Sequence, residues 1–298
     1  MSRVCLLTGG TGFVGRQLRI LMQSHGHSLR LLQRPQHDLL NPASLKELCR
    51  GVDTVYHLAA YAHVNQAQTR QLYAINVDGT RHLLEAAIAA GVKQFVYVSS
   101  ILADPAYDSP RTAYGDSKCR AEQLLLAAHA AGQIQVSIVR PVNVYGVGMK
   151  GNLMTLLTLI RKGVLPPLPD FDQTFSLISV EDLCEGILRA GERQTPEVTM
   201  YTLSDGQAYT IKAVEAAIRE ICGRRQPSWS TPRWMFYSAA LMLDILGRLL
   251  PLNNAPGLRS YRALARPYSV DSTASWQQLG YNPRFSFYTR LPQIAQKD

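Results

Sequence analysis

The sequence contains little cysteine, and the cysteines it has stand apart. Five of its 298 residues are cysteine, at positions 5, 49, 119, 184 and 222, and no Cys-x-x-Cys or Cys/His metal spacing occurs. A disulfide framework or a structural zinc site is therefore not expected. The pattern is typical of a reducing compartment, so we predict a cytoplasmic protein without a metal centre.

An apolar run long enough to cross a bilayer is also missing. The most apolar helix candidate, residues 234–250, is 17 residues long and contains Asp244 and Arg248, which makes it too short and too charged to span. We expect it to pack on a domain, with contact to a membrane surface as the alternative. The first residues, MSRVCLLTGG, begin a strand at once and are not expected to be a signal peptide.

Acidic residues are scarce towards the C-terminus. Residues 221–298 hold nine arginines and one lysine against three aspartates, which accounts for most of the net charge of +9. Such a surface suits an anionic ligand, such as nucleotide phosphates, or an anionic membrane, and can also serve solubility alone. The basic residues are scattered and do not gather on one helix, so nucleic acid is not expected as a partner.

Short apolar stretches alternate with helical patterns along the first half of the chain. The strands are expected at 4–8, 29–32, 54–58, 94–98 and 134–139, and the helices at 12–26, 43–50, 77–90 and 113–131. Nearly all-apolar strands separated by helices predict an α/β protein with a parallel sheet covered on both faces. A proline-rich break at 163–172 and the basic region that follows indicate a change of domain.

A glycine loop, TGGTGFVG at 8–15, follows the first strand and opens the first helix. Gly9, Gly12 and Gly15 allow a tight turn and remove side chains that would block a pyrophosphate. The helix N-terminus offers free N–H groups and the positive end of the helix dipole. In this strand–loop–helix context the pattern predicts a dinucleotide site, with Phe13 and Val14 at its helix start.

The end of the second strand carries no carboxylate that would select a ribose 2′-hydroxyl. The run LRLLQRP places Gln33 and Arg34 there, and an arginine can pair with a 2′-phosphate. We therefore predict NADP(H) in preference to NAD(H). Asp38 and Leu39 follow and are expected to meet the adenine edge.

Tyr114 and Lys118 are spaced to share a helix face, in RTAYGDSKCRAEQ. A free tyrosine has a pKa near 10 and is a poor base at neutral pH. A nearby ammonium would favour the phenolate, which would suit acid/base catalysis on a hydroxyl or carbonyl. Taken alone, the spacing fits an ordinary surface pair equally well.

Seven segments together resemble the extended short-chain dehydrogenases/reductases, also called the NAD-dependent epimerase/dehydratase family. They are TGGTGFVG (8–15), DLLNPASLKELCRGVDTVYHLAA (38–60), NVDGTRHLLEAA (76–87), FVYVSS (95–100), YGDSK (114–118), RPVNVYG (140–146) and SLISVEDL (176–183). The resemblance implies a Rossmann-type doubly wound parallel sheet with a smaller C-terminal substrate-binding domain. We assign 1–147 and the returning segment 176–204 to the first domain, and 148–175 and 205–298 to the second.

The resemblance also assigns roles to residues. Tyr114, Lys118 and Ser100 match the catalytic positions, with Ser99 as the alternative serine. Other positions match cofactor-contacting segments: Leu58, Ala59, Ala60, Asn76, Pro141 and Val142. A third set matches substrate-contacting positions: Ser100, Asn143, Asn152, Leu153 and Arg266. A homodimer through the 77–90 and 113–131 helices is the arrangement that the family implies.

The resemblance to UDP-sugar epimerases and sugar 4-ketoreductases makes a nucleotide-sugar the expected substrate. Phe175 stands where these enzymes often carry an arginine, and Ile101 and Leu102 stand where a 4,6-dehydratase has its acid pair. The apolar helix candidate and the C-terminal stretch also resemble the 3β-hydroxysteroid dehydrogenases, so a sterol or other lipid alcohol is the second expectation. A non-catalytic NAD(P)-binding scaffold or sensor is the third.

Overall fold

The chain divides into two compact units. The computed structural model describes residues 3–62, 68–108, 111–193, 197–249, 257–258, 261 and 268–296, with only the backbone of 247–249. The first unit comprises Met1–Val144, Val180–Ser204 and Asp271–Arg284, and the second comprises Tyr145–Ser179, Asp205–Val270 and Phe285–Asp298.

The strands are short and mostly buried. In chain order they are β1 (Val4–Thr8), β2 (Ser28–Leu31), β3 (Thr54–His57), β4 (Gln94–Val98), β5 (Gln135–Pro141), β6 (Asn143–Tyr145), β7 (Thr174–Phe175), β8 (Leu177–Ser179), β9 (Thr199–Leu203) and β10 (Tyr209–Thr210). One six-stranded sheet, in the order β2-β1-β3-β4-β5-β9, forms the first unit, and all its neighbouring strands are parallel. This confirms the predicted doubly wound α/β fold.

Helices connect the strands. In chain order they are α1 (Phe13–Ser24), α2 (Pro42–Cys49), α3 (Thr69–Tyr73), α4 (Gly79–Ala89), α5 (Ala113–Ala130), α6 (Asn152–Lys162), α7 (Val180–Glu192), α8 (Ile211–Ile221), α9 (Arg233–Leu249), α10 (Thr273–Leu279) and α11 (Phe287–Gln296). A π-helical turn, Ala74–Asp78, leads into α4, and a 3₁₀ turn, Ile101–Ala103, follows β4. Helix and strand ends differ from the predicted ones by a few residues.

Apolar side chains of the strands supply the core of the first unit. Leu6, Val55, Phe95 and Ile138 are completely buried, and burying each such side chain stabilises the fold by about 2 kcal/mol. The order in which the chain adds strands to the sheet reverses at β1, because β2 lies on one side of β1 and β3 lies on the other. Ligands of open α/β sheets bind at the carboxyl ends of strands beside such a switch point.

The second unit combines helices with a small antiparallel ribbon. β7 pairs with β10 through Phe175 and Tyr209. The Asp205 carboxylate accepts hydrogen bonds from the hydroxyls of Tyr145 (2.9 Å) and Tyr209 (2.6 Å). The Phe287 N–H donates in turn to the Tyr209 hydroxyl, which ties the start of α11 to this cluster.

One C-terminal segment returns to the first unit, whereas the expected second domain ran without interruption from 205 to 298. The Trp276 indole donates to the Ser204 carbonyl at 2.8 Å, and its ring approaches the space where a Gly186 Cβ would stand. A buried tryptophan lying against a glycine of α7 anchors Asp271–Arg284 to this unit. No local sequence signal marks the return, because the contact is long-range.

Within the part of the chain that the structure describes, none of the helices has the length and apolar character needed to cross a membrane.

Candidate active site

The conformation of the glycine loop depends on close backbone contacts that only glycine allows. Gly9 has a φ of +74°, and a Cβ there would stand 2.7 Å from the Ala59 backbone nitrogen. A Cβ on Gly15 would overlap the Gly9 carbonyl. The Gly12 N–H donates to the same carbonyl at 2.9 Å. The loop therefore lies close against α1 and against the turn that follows β3.

The start of α1 has the features of a phosphate site. Gly12 is the N-cap and supplies no side-chain capping hydrogen bond, and the first turn holds no acidic residue. The N–H groups of Phe13 and Val14 begin the helix, where the helix dipole favours an anion. Gly15 leaves no room for a side chain, so the N–H groups at this helix start stay uncovered. They fit the pyrophosphate of a nicotinamide dinucleotide.

Arg34 lies exposed beyond the end of β2. Its side chain is 67% exposed, and its guanidinium lies 3.9 Å from the Asp38 carboxylate, a loose pair. Asp38 also accepts the Leu40 N–H at 3.1 Å. Leu39 is buried beside Gly79, so its side chain belongs to the core. Arg34 therefore offers an exposed positive charge to a ligand at this end of the sheet.

Tyr114 and Lys118 lie on the first turns of α5. Thr112 caps the start of the helix, and its hydroxyl accepts the Gly115 N–H at 3.0 Å. Asp108 accepts the N–H and the hydroxyl of Thr112, both at 2.7 Å. A Cβ on Gly115 would overlap Asp108, so the glycine of YGDSK allows this close packing. Tyr114 is thereby held at the helix start.

Lys118 connects α5 to the carboxyl end of β4. Its Nζ donates to the Val98 carbonyl at 2.8 Å and lies 4.6 Å from the centroid of the Tyr97 ring. The same nitrogen is 6.0 Å from the Tyr114 ring centroid. Ser100 follows two residues after Val98 and is half-buried, with its Oγ accepting the Leu102 N–H at 3.2 Å. The three predicted catalytic residues thus lie around the end of one strand.

Ser99 is less suited to contact a ligand than Ser100. Its side chain is 4% exposed, and its Oγ has no hydrogen-bond partner in the described residues.

Burial shifts the pKa of both catalytic candidates away from their free values. Burial lowers the pKa of Lys118 to about 7, although the Glu122 carboxylate acts to raise it. Burial raises the pKa of Tyr114 to about 12. The expected lowering of the Tyr114 pKa by the lysine is therefore wrong. Removal of the phenolate from water outweighs a lysine whose own charge is only partly retained.

His57 lies at the centre of a buried hydrogen-bond network. The Thr80 hydroxyl donates its single proton to the Asn76 carbonyl at 2.7 Å, so it accepts from His57 Nε2 at 2.9 Å. His57 Nδ1 then accepts from the Thr8 hydroxyl at 2.6 Å, and Thr8 Oγ1 accepts the Ala59 N–H at 3.1 Å. Burial, together with the charge of Lys118, lowers the pKa of His57 to about 3.

Asn76 extends this network to α5. Its Oδ1 accepts the Tyr61 N–H, and its Nδ2 donates to the Tyr61 carbonyl and to Ser117 Oγ at 3.0 Å. Ser117 in turn donates to the Tyr114 carbonyl at 2.8 Å. We call Thr8, His57, Thr80, Asn76 and Ser117 the His57 network. Both amide donors of Asn76 are used within the protein, which favours a supporting role over direct contact with a cofactor.

The remaining predicted residues divide between the two units. Leu58, Ala59 and Ala60 form the turn after β3, and Pro141 ends β5. Val142 is buried and donates its N–H to the Leu203 carbonyl, and Asn143 begins β6. Asn152 and Leu153 start α6 in the second unit. Arg266 lies outside the described residues.

Most of the His57 network and the ion pair beside Lys118 were not predicted from the sequence. Glu122 is 3% exposed and holds Arg140 through two hydrogen bonds, of 2.6 and 2.9 Å. The only sequence signal was a polar residue at the end of an apolar strand, as in Thr8 and His57. Among the described residues, no group of three His, Cys, Asp or Glu side chains could hold a metal ion.

A sequence profile described as the NAD dependent epimerase/dehydratase family matches residues 5–203. Among curated relatives, a UDP-glucose 4-epimerase of Vibrio cholerae is 29% identical, over 99% of this chain and 95% of its own. A 4-hydroxy-2-methyl-3-oxo-4-farnesyl-3,4-dihydroquinoline-1-oxide ketoreductase of Stigmatella aurantiaca is 28% identical, over 97% and 95%. A 3 beta-hydroxysteroid dehydrogenase/Delta 5-->4-isomerase of Mycobacterium tuberculosis is 28% identical, over 77% and 73%.

The fold is also found among solved structures. The crystal structure of gox2253 superposes with a TM-score of 0.80 and 25% sequence identity, and the match covers 99% of this chain and 98% of that one.

Proposed function

The chain belongs to the NAD dependent epimerase/dehydratase family, and we propose that it moves a hydride between a nicotinamide and a secondary alcohol or ketone. The observation that carries this proposal is the grouping of Ser100, Tyr114 and Lys118 around the carboxyl end of β4. In this sheet, β3 lies between β4 and β1, the strand that leads into the glycine loop. The same edge of the sheet would therefore hold both the dinucleotide and the reacting carbon.

Tyr114 is the residue we assign to proton transfer. Its hydroxyl forms no hydrogen bond within the described part of the chain, and with a pKa of about 12 it is protonated at neutral pH. It can donate a proton to the oxygen of a ketone as that carbon is reduced. Ser100 would donate a hydrogen bond to the same oxygen. When bound, the nicotinamide supplies or accepts the hydride.

Lys118 is assigned to binding and charge. An ammonium has three N–H donors, and the Val98 carbonyl takes one of them. The other donors are suited to ribose hydroxyls near Tyr114. A positive charge at this place would also favour a phenolate when the reaction runs in the oxidative direction.

A nucleotide-sugar is the substrate we propose, converted by 4-epimerisation or by reduction at a 4-keto group. Asn143 and the pair Asn152–Leu153 match substrate-contacting positions of sugar-nucleotide enzymes, and the V. cholerae relative is a UDP-glucose 4-epimerase. We further propose NADP(H) as the preferred cofactor, because the exposed Arg34 can pair with a 2′-phosphate. A cytoplasmic homodimer packed through α4 and α5 completes this proposal.

A lipid alcohol or ketone is the second candidate. Phe175 takes the place of the arginine expected for a sugar-nucleotide phosphate, and its ring packs 6.1 Å from that of Tyr209. Two relatives are named for steroid or farnesylated substrates. These observations favour an apolar substrate, and a scaffold without turnover is the remaining alternative.

The first experiment identifies the cofactor. The purified protein is denatured, any released nucleotide is identified by mass spectrometry, and the native protein is titrated with NADPH and NADH. An empty protein that prefers NADPH supports an exchanging reductase. Retained NAD⁺ would indicate an epimerase that regenerates its cofactor and would contradict the role of Arg34. Binding of neither nucleotide would contradict the proposed hydride transfer.

Arg34→Ala tests the choice of cofactor. Loss of the guanidinium should weaken NADPH binding by roughly tenfold and leave NADH binding nearly unchanged, because only NADPH carries the phosphate. Arg50→Ala, which removes an equally exposed arginine from the end of α2, is the matched control. Equal loss for both nucleotides would contradict the assignment.

A thermal-shift screen separates the substrates. UDP and UDP-sugars should raise the unfolding temperature in proportion to the logarithm of concentration if a nucleotide-sugar binds. Stabilisation by sterols or prenylated ketones alone would favour the second candidate. Turnover of NADPH with the stabilising compound then distinguishes an enzyme from a scaffold.

A further inference from the structure

Helix α9, in the second unit, exposes a broad apolar face. Six large apolar side chains make up this face: Trp234, Met235, Leu241, Met242, Ile245 and Leu246. Trp234 is 70% exposed, Met242 59% and Ile245 49%. Positions 234, 241, 242 and 245 recur at helical spacing, so these side chains form one continuous stripe.

The opposite side of α9 holds the helix on its own unit. Ala240 is buried, and Phe236, Leu243 and Asp244 are half-buried. The Phe236 ring lies 6.1 Å from that of Tyr261, which in turn packs 5.9 Å from Phe171. The exposed stripe is therefore a second face that the described packing of the unit does not use.

Continuous apolar surfaces of this kind mark places of interaction. We propose that the apolar face of α9 lies on an anionic lipid surface, with the helix in the plane of the interface. The helix has 17 residues, which is too short to cross a bilayer but suits an interfacial helix. Trp234 stands near its first turn, and tryptophan favours the membrane–water boundary.

The charges around the helix match an anionic surface. Residues 221–249 contain four arginines and a single carboxylate, Asp244. Arg233 pairs with the Asp172 carboxylate at 2.9 Å, so the surplus positive charge of this segment comes from the other three arginines. That carboxylate is turned to the inner side, where it lies against Gly257. Arg225 and the indole of Trp229 are exposed in the segment that leads into α9. Arginines near the surface add attraction to anionic headgroups.

The same charges disfavour a second copy of the chain as the occupant. Two α9 faces packed together would bring two arginine-rich segments into proximity, and like charges that face each other weaken association. The proposal does not depend on the proposed function, because it involves neither the glycine loop nor Ser100, Tyr114 and Lys118.

Co-sedimentation of the full chain with sucrose-loaded vesicles tests the proposal. One set of vesicles contains equal parts of phosphatidylglycerol and phosphatidylcholine, and the other contains phosphatidylcholine alone. We expect at least about tenfold tighter binding to the anionic vesicles, falling as salt is raised. Absence of binding to the anionic vesicles at low salt would overturn the proposal.

A matched pair of variants assigns the binding to α9. The triple variant Trp234→Glu, Met242→Glu and Ile245→Glu should lower vesicle affinity by at least about tenfold. The control variant Ile20→Glu, Val164→Glu and Met200→Glu makes the same change of charge at side chains that are 58%, 64% and 44% exposed elsewhere. It should bind much more tightly than the α9 variant. Equal binding by the two variants would contradict the assignment.

Two further readouts keep the test independent of variant folding. In the wild-type protein, brominated lipids should quench the fluorescence of exposed tryptophan, because Trp234 enters the acyl region, while the buried Trp276 is not reached. Sedimentation velocity over a range of concentrations tests self-association. A dimer that the α9 triple variant abolishes, in a protein that ignores vesicles, would assign the face to a second copy and overturn the proposal.

Discussion

At the scale of the residue, burial controls the chemistry of Lys118 more than any partner does. The side chain is 2% exposed, and within the described residues its one hydrogen bond goes to the Val98 carbonyl. The Glu122 carboxylate, which acts to raise the pKa of Lys118, is itself paired with Arg140. The lysine therefore remains near half-protonation at neutral pH, where a cofactor or substrate charge can decide its state.

This low pKa predicts a stability that rises with pH. The unfolded lysine binds a proton below its ordinary pKa of 10.5, whereas the folded one binds it only below its lowered pKa of about 7. Between these values the unfolded state holds more protons, so the free energy of unfolding should rise by up to about 1 kcal/mol per pH unit. Urea unfolding across this range measures the slope. Lys118→Met should remove that component, while the exposed Lys93→Met should keep it.

Tyr114→Phe tests the proton donor. Loss of the hydroxyl should lower kcat by about 100-fold or more, because proton transfer by a positioned acid contributes that much. Binding of NADPH should stay within a factor of about two, since the hydroxyl serves the reacting oxygen. Tyr288→Phe, at an exposed tyrosine of the second unit, is the control. Full activity of Tyr114→Phe would exclude the assigned role.

At the scale of the element, the His57 network connects four segments that the chain places far apart. It joins the end of β1, the end of β3, the start of α4 and the first turns of α5 through hydrogen bonds of 2.6 to 3.0 Å. Every hydroxyl and ring nitrogen of the network acts as a defined hydrogen-bond donor or acceptor. The network therefore fixes the position of the glycine loop relative to Tyr114.

His57→Phe should destabilise the protein by about 2–4 kcal/mol, because the buried hydroxyls of Thr8 and Thr80 would each lose a partner. The shift of the urea midpoint measures it, and the exposed His25→Phe should change it little. Nitrogen-15 NMR offers a check that does not depend on a variant. His57 should keep its proton on Nε2 and show no titration between about pH 5 and 8. Titration of His57 in this range would contradict the hydrogen-bond directions of the His57 network.

At the scale of the whole molecule, the predicted functions are distributed unevenly between the two units. The glycine loop, Arg34, Ser100, Tyr114 and Lys118 all belong to the first unit, and the exposed face of α9 belongs to the second. Most of the net positive charge comes from residues 221–298, which the second unit largely contains. Cofactor and membrane surface would thus engage different parts of one chain.

Binding of the cofactor should therefore stabilise the first unit in a concentration-dependent way. At a free NADPH concentration of about 100 times the Kd, the gain should be about 2.7 kcal/mol. Hydrogen exchange should slow at the glycine loop and at the start of α1. In Gly15→Ala, whose Cβ would overlap the Gly9 carbonyl, both effects should be lost. Gly10→Ala, which meets only ordinary side-chain contacts from 3.4 Å, should keep them.

The fold class and the family follow from the amino-acid sequence alone. Apolar strands with helical intervals are local patterns, and TGGTGFVG, FVYVSS and YGDSK are short motifs whose spacing survives without any knowledge of long-range contacts. The placement of Tyr114 and Lys118 on adjacent turns followed from helical geometry alone. The assigned catalytic and cofactor roles of these residues stay predictions for the experiments above.

The features that depend on burial and on distant contacts became apparent only in the folded chain. Among these are the return of Asp271–Arg284 to the first unit, the tautomer of His57 and the exposure of α9. The pKa of Tyr114 is the clearest example, since spacing predicted a lowering and burial produced a rise to about 12. The desolvation of a group depends on all the atoms that surround it in space, and its neighbours along the chain are only a small part of them.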